Sequence, residues 1–430
     1  MNKELLKYIK ASPTPYHAVS HTATVLRENG YTEIRENDEW KLEAGKGYYV
    51  TRNGSSLISF RVPKGDFDGF MMTASHGDSP TFKIKENPVI SDGKYLRLSV
   101  EKYGGMLCST WLDRPLSIAG RIMVRKENGF ESRLVDLKDV SALIPNVAIH
   151  MNRNANDGMS YNPAIDMPPI ISSGAGTETF LDKIASAADA KKEDIITTDL
   201  FLYNSQDGIE WGDFISSPRL DDLQCAFSAL RAFVDSEKDD VKNMPVYCLF
   251  DNEEVGSRTK QGAASTFLYD VLCRIVFALD GSDEDYRRKV ASSFLVSCDN
   301  AHASHPNHPE YSDKNHTVYM NGGIVIKYNA NQQYTTDAVS SALFRLVCEE
   351  AGVPCQSYAN RADMPGGSTL GNIANTQVSL NTVDIGLAQL AMHSSFETAG
   401  ALDTEYLVRA LTVFYKKHLS IGQDNSYELI

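Results

Sequence analysis

Apolar residues recur along the chain at two different spacings, and these spacings predict alternating helices and strands. Near the N terminus, apolar residues three or four positions apart predict helices over Leu5–Lys10 and His17–Asn29. Continuous apolar runs predict buried strands at Phe70–Ser75, at residues 246–250 (VYCLF) and at Phe294–Ser297. Helices that alternate with buried strands are typical of an α/β domain.

The second half of the chain continues this α/β pattern with several more helices. One is predicted to begin at residue 218, because Ser217 is a suitable N-cap and Pro218 suits the first helical position. Its apolar residues at helical spacing are Leu220, Leu223, Phe227, Leu230 and Phe233. The other predicted helices lie near residues 261–273, over Asp337–Ala351 and, as the last element of the chain, over Glu405–His418.

The pattern between about Lys83 and Thr198 is different, because short β-like runs are separated by glycines and turn residues. These runs are YLRLSVEKYGG (95–105), MLCSTW (106–111), SIAGRIMVR (117–125) and VAIHMNR (147–153). We therefore predict an α/β domain formed by residues 1–84 and 206–430 and interrupted by a β-rich insertion at residues 85–205.

Length and charge narrow the class of protein. A chain of 430 residues is too long for one ordinary core, so two domains or a large insertion are expected. Hydrophobic residues make up 42% and charged residues 23%, as in ordinary globular proteins. The formal net charge of −14 argues against nucleic acid and anionic membrane surfaces as partners, because both attract basic patches.

Cysteine usage and the N-terminal segment predict a cytoplasmic protein. The seven cysteines are scattered and include no C-x-x-C pair, so neither a disulfide framework nor a cysteine-rich zinc site is expected. The first 19 residues are polar, contain two prolines and have no apolar signal-peptide core. No apolar stretch in the sequence is long enough to span a bilayer.

Polar residues that suit metal binding collect where predicted strands end. In an open α/β sheet, ligands bind outside the carboxyl ends of the strands. Each of these segments alone is equally well explained as a turn. The prediction of a metal site therefore rests on the occurrence of five such segments. Four follow strands and a fifth opens a helix: ASHGDSP (74–80), FDNEEVGS (250–257), SCDNAHASHPN (297–307), LAMHSSFETAG (390–400) and SPRLDDL (217–223).

These segments contain the donors for a two-metal centre. Two imidazoles and three carboxylates suit two zinc ions if one carboxylate bridges them; the residues are His76, Asp221, Glu254, Asp299 and His393. Asp78 lies two residues after His76 on an extended segment and is suited to orient that imidazole. Glu253 points away from its neighbour Glu254 and is free to act as a general base. The pattern predicts metal-assisted hydrolysis without choosing between a peptide, another amide and an ester.

Three further histidines form a less suitable candidate for a second metal site. His302, His305 and His308 lie close to Asp299 and resemble a separate zinc site, but His76 and His393 already complete the donor set. We expect His305, which precedes Pro306, to line a substrate cleft instead. The glycine-rich MPGGSTLG (364–371) lacks the lysine and the spacing of a phosphate-binding loop.

Nine motifs in order give the sequence a family resemblance over nearly its whole length. They are SPTPYHAV (12–19), HGDSP (76–80), YGGMLCSTWLDRPLSIAGR (103–121), IPNVAIHMNRN (144–154), SPRLDDL, DNEEVGS (251–257), DNAHASHPN (299–307), MPGGSTLG and QLAMHS (389–394). With these motifs the chain resembles the aspartyl aminopeptidases, family eighteen of the metallopeptidases. The resemblance implies a mixed-sheet zinc-exopeptidase catalytic domain interrupted by a β-rich dimerisation domain.

The resemblance also implies how the candidate ligands are shared between two zinc ions. His76, Asp221 and Asp299 would hold one ion. Glu254 and His393 would hold the other together with Asp221, which would bridge. Cobalt and manganese also accept this donor set.

Further roles follow from the same resemblance. Glu253 would be the general base, and Asp78 would orient the first imidazole. His150, in the insertion, would reach the active site of a neighbouring subunit within a homodimer, and dimers would assemble into shells of twelve. Lys327 would bind an acidic N-terminal side chain of a peptide substrate, with Tyr334 as a hydroxyl donor.

Two other functions stay open at this point. Some relatives prefer neutral N-terminal residues, and a related amide deacylase would use the same metals. A catalytically silent oligomeric scaffold belongs to a different class and would be expected to lack a ligand or the base. Without the resemblance, a lone lysine after an apolar run is most simply a surface charge at a strand end.

Overall fold

The computed structural model describes residues 1–173, 179–236 and 241–430. Within these residues the helices α1 to α10 are Asn2–Lys10, Pro15–Glu28, Pro163–Asp166, Phe180–Ala187, Leu220–Asp235, Phe267–Ala278, Asp283–Ala291, Ala338–Ala351, Leu370–Ala374 and Asp403–Phe414. The strands β1 to β22 are Thr32–Glu33, Gly47–Arg52, Ser56–Arg61, Gly69–His76, Thr81–Ser91, Leu96–Tyr103, Leu116–Lys126, Gly129–Asp136, Ile170–Ser172, Ile195–Asn204, Ile209–Trp211, Phe214–Ser217, Asn243–Phe250, Phe294–Cys298, Ala301–His302, Ile324–Tyr328, Cys355–Ala359, Asn381–Gly386, Ala388–Leu390, Glu397–Gly400, Leu419–Ile421 and Tyr427–Leu429.

A mixed sheet of nine strands forms the centre of the α/β part, in the order β1-β2-β3-β13-β4-β14-β18-β16-β17. Strands β13, β4, β14 and β18 run parallel, and antiparallel pairs flank them. Every residue of β4, β13 and β14 is buried. Alternate residues such as Met71 and Met72 of β4 enter two different apolar clusters, because helices cover both faces of the sheet.

The parallel register places the candidate site at one edge of this sheet. His76 ends β4 and lies opposite Phe250, which ends β13. Strand β14 pairs with the other side of β4 and ends at Cys298. The polar segments that follow these three strands therefore emerge side by side, as expected at the carboxyl ends of parallel strands.

A second sheet shares no strand with the first. Its residues lie, in sequence, between the two parts of the α/β unit. Its order is β8-β7-β10-β5-β6-β9, its pairs are antiparallel, and it runs from Thr81 to Asn204. An apolar cluster of its own, including Phe82, Trp111 and Leu202, packs beneath it. The domain boundaries at residues 85 and 205 stay a prediction.

Most elements predicted from the pattern are present, but four details were wrong. Ser217 does not cap a helix: it ends β12 and pairs with Glu397, and α5 begins only at Leu220 after Arg219 in a left-handed conformation. The run MLCSTW contains a short 3-10 helix, Cys108–Trp111, and no strand. The run VAIHMNR forms a turn. Helix α10 does not close the chain, because a hairpin of β21 and β22 follows it.

The cysteines and the apolar character of the helices complete the description of the fold. All seven cysteines are free thiols. None of the helices in the described part of the chain is long and apolar enough to cross a membrane.

Candidate metal centre

Five side chains from distant segments meet at the carboxyl edge of the central sheet. Their possible ligand atoms form two groups, within each of which all atoms lie inside 4.8 Å of one another, and the groups share Asp221. Glu253 lies within the same separation of His76 and Glu254. The two groups are His76 with Asp221 and Asp299, and Asp221 with Glu254 and His393.

The Asp221 carboxylate lies between the two imidazoles. Its Oδ1 is 3.5 Å from Nε2 of His76, and its Oδ2 is 3.4 Å from Nε2 of His393. Burial raises the pKa of Asp221, but the attraction of the two nearby imidazoles outweighs it, so the pKa lies well below its usual range. Each oxygen of one ionised carboxylate thus faces a different imidazole, which is the arrangement that a bridging ligand requires.

The His76 imidazole is held through its other nitrogen. Nδ1 lies 3.0 Å from the backbone oxygen of Asp78 and 3.4 Å from Oδ1 of the Asp78 side chain. The ring is buried, with 1% of its side chain exposed. When Nδ1 carries the proton and shares it with Asp78, Nε2 keeps a free electron pair. That electron pair is directed at Asp221 and is available to a metal.

The Asp78 carboxylate also connects the adjacent glutamates to the strand. Its Oδ1 accepts a hydrogen bond from the backbone N–H of Glu253 at 3.2 Å, and its Oδ2 accepts one from Glu254 at the same distance. Oδ2 also accepts the hydroxyl hydrogen of Tyr103 at 2.7 Å. Asp78 therefore fixes the short 3-10 turn, Glu253–Val255, from which both glutamates project.

His393 is held in an uncommon backbone conformation. Its φ is +66°, in the left-handed region. Its backbone N–H donates to Oε1 of Glu397 at 2.8 Å, and its ring nitrogen Nδ1 contacts the backbone oxygen of Gly105 in the insertion. Its Nε2 lies 3.4 Å from Oε2 of Glu254. Burial lowers and the Asp221 carboxylate raises the pKa of His393, which settles at about 9.

The carboxylates of the site carry more negative charge than the protein around them neutralises. Burial, followed by nearby charges, raises the pKa of Glu253 to about 8 and that of Glu254 well above its usual range. Burial also raises the pKa of Asp299, which Lys327 partly offsets. Groups whose pKa is raised in this way favour a proton or a cation beside them.

Two buried oxygens provide a test of whether a metal fits. Oδ1 of Asp221 and Oε1 of Glu254 are buried and have no hydrogen-bond partner. Buried polar atoms are normally paired, so unpaired carboxylate oxygens that converge with imidazole nitrogens point to a missing cation. Histidine nitrogen and carboxylate oxygen are ligands that zinc accepts. The residues present therefore fit zinc at both groups.

Lys327 and Tyr334 lie beside the first group of ligands. The Lys327 ammonium is buried, donates a hydrogen bond to the backbone oxygen of Asn300 at 2.8 Å, and lies 3.6 Å from Oδ1 of Asp299. It also lies 5.4 Å from the centre of the Tyr334 ring. Burial lowers and Asp299 raises the pKa of Lys327, with a net increase, so the ammonium stays charged.

His305 and His150 are exposed, and neither belongs to a group of possible ligands in the described residues. His305 accepts a hydrogen bond from the backbone N–H of Asn307 and packs against the ring of His308. His150 lies on the turn that replaces the predicted strand VAIHMNR. No group of possible metal ligands in the described residues includes His302, His305 or His308, so the alternative zinc site is not formed there.

Three contributors to the site were not singled out from the sequence. Tyr103 reaches Asp78 from the insertion. The buried Asp222 accepts the backbone N–H of His76 at 3.2 Å. Glu397 accepts the backbone N–H groups of both Asp221 and His393. Each lies within a motif already noted, but only distant hydrogen bonds distinguish them from their neighbours.

Glu397 and Asp222 are fully enclosed carboxyl groups. Burial raises the pKa of Glu397 to about 8, and the charge of Asp221 adds to the effect. Burial likewise raises the pKa of Asp222 well above its usual range. Neither residue belongs to the two groups of possible ligands. Both instead accept hydrogen bonds from the backbone of ligands: Asp222 from His76, and Glu397 from Asp221 and His393.

Nearly the whole chain matches a family of known proteins. The profile of the aminopeptidase I zinc metalloprotease (M18) family matches residues 8–415. A curated protein of Clostridium acetobutylicum, named probable M18 family aminopeptidase 2, is 45% identical over 425 residues, which cover 96% of this chain and 98% of its own. The family profile and the alignment with this relative both cover the insertion and both parts of the α/β unit.

Solved structures repeat the same fold. The chain in the cryo-EM structure of the Ape4 and Nbr1 complex superposes with a TM-score of 0.92 at 36% identity, over 96% of this chain and 85% of that one. The structure described as the S. cerevesiae mApe1 dodecamer gives a TM-score of 0.84 at 30% identity, over 96% of both chains. A mixed α/β architecture with several sheets is therefore common to these proteins.

Proposed function

The chain belongs to the aminopeptidase I zinc metalloprotease (M18) family, and from this membership we propose that it uses two zinc ions to remove Asp or Glu from the N terminus of peptides. Membership makes the protein a metallo-aminopeptidase and zinc its family metal. The number of metals, the residue roles and the acidic preference are the parts that we propose.

The shared Asp221 carboxylate is the observation that carries the two-metal assignment. Its two oxygens face His76 and His393 at 3.5 and 3.4 Å, so one side chain serves both ligand groups. His76 and Asp299 would complete one site. Glu254 and His393 would complete the other. Bound zinc supplies Lewis-acid polarisation of the scissile carbonyl and activation of the attacking water.

Glu253 is the general base in this proposal. It takes a proton from the attacking water and returns it to the nitrogen of the leaving peptide. Its backbone is fixed by the hydrogen bond to Asp78, which also orients His76. Glu254, the next residue, has its carboxylate beside His393. In this proposal the adjacent glutamates have different roles: Glu254 binds metal, and Glu253 transfers the proton.

Lys327 supports the acidic preference. Its ammonium is buried next to the first ligand group in a protein whose net charge is −14. Among the residues that the structure describes, the ammonium donates one hydrogen bond, to the backbone oxygen of Asn300. A substrate carboxylate that reaches the remaining donors would form a charge-assisted hydrogen bond. Tyr334 lines the same position, and the exposed His305 stays a predicted contact for the rest of the peptide.

A preference for neutral N-terminal residues is the second candidate, and one observation favours it. The Lys327 ammonium already has Asp299 as a counterion at 3.6 Å. A lysine that only neutralises a metal ligand would give no advantage to an acidic substrate. A silent scaffold is excluded by membership in an enzyme family together with the presence of Glu253 and all five candidate ligands.

Matched pairs of substrates distinguish the two candidates. Peptides that begin with Asp or Asn, and with Glu or Gln, differ in charge but hardly in shape, so the ratio of kcat/KM within a pair isolates the charge. We expect the acidic member to lead by roughly tenfold or more in the zinc-loaded enzyme, because a charge-assisted hydrogen bond contributes about 1.5–3 kcal/mol. Lys327→Met should abolish the ratio.

Zinc content is measured alongside, because Lys327 also contacts a candidate ligand. A variant that keeps its zinc and loses only the Asp/Asn ratio supports the acidic pocket. Equal rates within each pair in the unaltered enzyme would remove the acidic preference, and a faster neutral member would show a neutral one. Lys289→Met, which changes a lysine on α7, serves as the control and should leave the ratios unchanged.

Assembly and location extend the proposal. We expect homodimers that associate into a dodecamer, as in the relative whose structure is described as one. His150 is exposed within its own chain and would act in the active site of its neighbour. Cobalt or manganese is expected to replace zinc with retained activity. The free cysteines favour a reducing, cytoplasmic location.

A further inference from the structure

One buried carboxylate is bonded to the backbone of two candidate ligands at once. Oε2 of Glu397 accepts the backbone N–H of Asp221 at 3.1 Å, and Oε1 accepts the backbone N–H of His393 at 2.8 Å. Glu397 is 2% exposed and begins β20, four residues after His393 and 176 residues after Asp221. Its two oxygens therefore tie together two segments that both belong to the second ligand group.

The two ligand groups differ in how their backbones are supported. His76 is the last residue of β4 and lies within the parallel register of the central sheet. Asp299 follows β14 directly and donates its own N–H to Ile385. His393 lies outside the strands, in the loop between β19 and β20, and its φ of +66° is uncommon for a residue with a side chain. The second group thus depends more on individual hydrogen bonds.

We infer that Glu397 is a positioning residue that sets the second metal position, formed by Asp221, Glu254 and His393, before a metal binds. By accepting both N–H groups, it fixes the Asp221 and His393 side chains with Oδ2 and Nε2 3.4 Å apart. Hydrogen-bond partners behind the ligands orient them and tune metal affinity. This inference rests on the two-metal proposal above.

Removing the second acceptor oxygen tests the inference. In Glu397→Gln one oxygen becomes an NH2 group, which faces a backbone N–H that needs an acceptor. We expect the second equivalent of metal to bind about 10- to 100-fold more weakly, the range typical of such partners. Binding of the first equivalent should weaken less, because Glu397 holds only the shared Asp221 of that group, whereas it holds both Asp221 and His393 of the second. The measurement is a titration of metal-free protein with Zn²⁺ against a competing chelator, and with Co²⁺ followed by its absorption.

The chain offers a closely matched control. The buried Asp403 also accepts two backbone N–H groups, from Asn321 at 2.6 Å and Gly323 at 3.0 Å, and neither donor belongs to the metal centre. Asp403→Asn makes the same chemical change in the same kind of site. It should lower the Tm of the metal-free protein and leave both metal affinities unchanged. A merely structural Glu397 would behave like this control.

The outcomes separate failure of the inference from failure of the two-metal proposal. If the unaltered protein binds a single equivalent, the two-metal proposal is wrong and the inference falls with it. If it binds two and Glu397→Gln binds two equally well, only the inference is wrong. Should Glu397→Gln fail to fold, Glu397→Asp keeps the charge on a shorter chain. Two unweakened equivalents in that variant would likewise overturn the inference.

Discussion

The hydroxyl group of Tyr103 donates a hydrogen bond of 2.7 Å to Oδ2 of Asp78. Tyr103 ends β6 of the insertion, whereas Asp78 follows β4 of the central sheet. Burial and the charge of Asp78 raise the pKa of Tyr103 well above its usual range, so the hydroxyl keeps the proton that it donates. The β-rich sheet thus contacts the residue that orients His76.

We therefore expect Tyr103→Phe to lower kcat/KM by about tenfold, with the fold and the assembly unchanged. The phenyl ring fills the same space, but Asp78 loses one of its hydrogen bonds and orients His76 less firmly. Steady-state kinetics with zinc in excess measure the effect. Tyr95→Phe, which alters a half-exposed tyrosine (51% exposed) directly before β6, is the control. Equal kinetics for the two variants would contradict the expectation.

A second contact, between the 3-10 helix Cys108–Trp111 and the loop that contains His393, holds that loop. Oγ1 of Thr110 accepts the backbone N–H of Ser395 at 2.9 Å, and the Ser395 hydroxyl contacts the backbone oxygen of Thr110. Thr110→Val removes the first hydrogen bond and keeps the shape. A typical hydrogen bond contributes about 0.5–1.5 kcal/mol, so zinc retention by the second site should fall several-fold.

Residual zinc after dialysis against a chelator measures this effect. Thr110→Ser keeps the acceptor and should retain zinc as the unaltered enzyme does. If Thr110→Val and Thr110→Ser retain zinc equally, the insertion does not support this ligand.

Metal removal should make stability depend on pH in a defined direction. In the folded metal-free protein the pKa of Glu253 and of Glu397 is about 8, against an ordinary value of 4.5. The folded state therefore binds more protons than the unfolded state between these values. The resulting stabilisation is complete below about pH 4.5 and is lost as the pH rises through 8.

His393 acts in the same direction, because its pKa is raised from 6.5 to about 9. We expect the Tm of the metal-free protein to fall between pH 5 and pH 9, and the Tm of the zinc-loaded protein to fall much less, since zinc replaces these protons. Calorimetry of both forms across this range measures the difference. A gap between the two forms that narrows toward pH 9 would contradict the pKa assignments.

His150 can be tested by mixing two inactive variants. His150→Ala should keep its zinc and its assembly but lose most turnover, if the histidine acts on the neighbouring subunit. Glu253→Gln should be inactive through loss of the base. In a mixed dimer, the subunit with Glu253 receives His150 from its partner, so one site of two is complete.

Co-expression in equal amounts makes about half of all dimers mixed. Since one of the two sites in each mixed dimer is complete, about a quarter of the normal activity should be restored. Mixing His305→Ala with Glu253→Gln is the comparison. No recovery in the His150 mixture would place that histidine outside the neighbouring site.

Local patterns were sufficient for the strands and helices of the α/β part. The buried strand predicted at Phe70–Ser75 is Gly69–His76, and the helix predicted over Asp337–Ala351 is Ala338–Ala351. Apolar runs and helical spacing report burial within one element, so they predict that element well. The same rule failed at residues 147–153, where Val147, Ile149 and Met151 alternate but are exposed in this chain.

The start of α5 shows a different limit. Ser217 and Pro218 form a good helix-start signal, yet Ser217 is used by β12, which pairs with Glu397. A cap signal reflects only the preference of a few neighbouring residues, and pairing with a distant strand overrides it. Because Glu397 is 180 positions away, no local pattern contains that competing interaction.

The sequence by itself determined which side chains are available for metal chemistry and that His76, Glu254 and Asp299 lie at the ends of buried strands, because both properties belong to short segments. The tertiary structure alone decided that Asp221 lies between His76 and His393, and that Glu397 and Tyr103 support the ligands. These relationships join segments up to 176 residues apart. Hydrogen bonds over such separations form only when packing of the whole fold has brought their partners together.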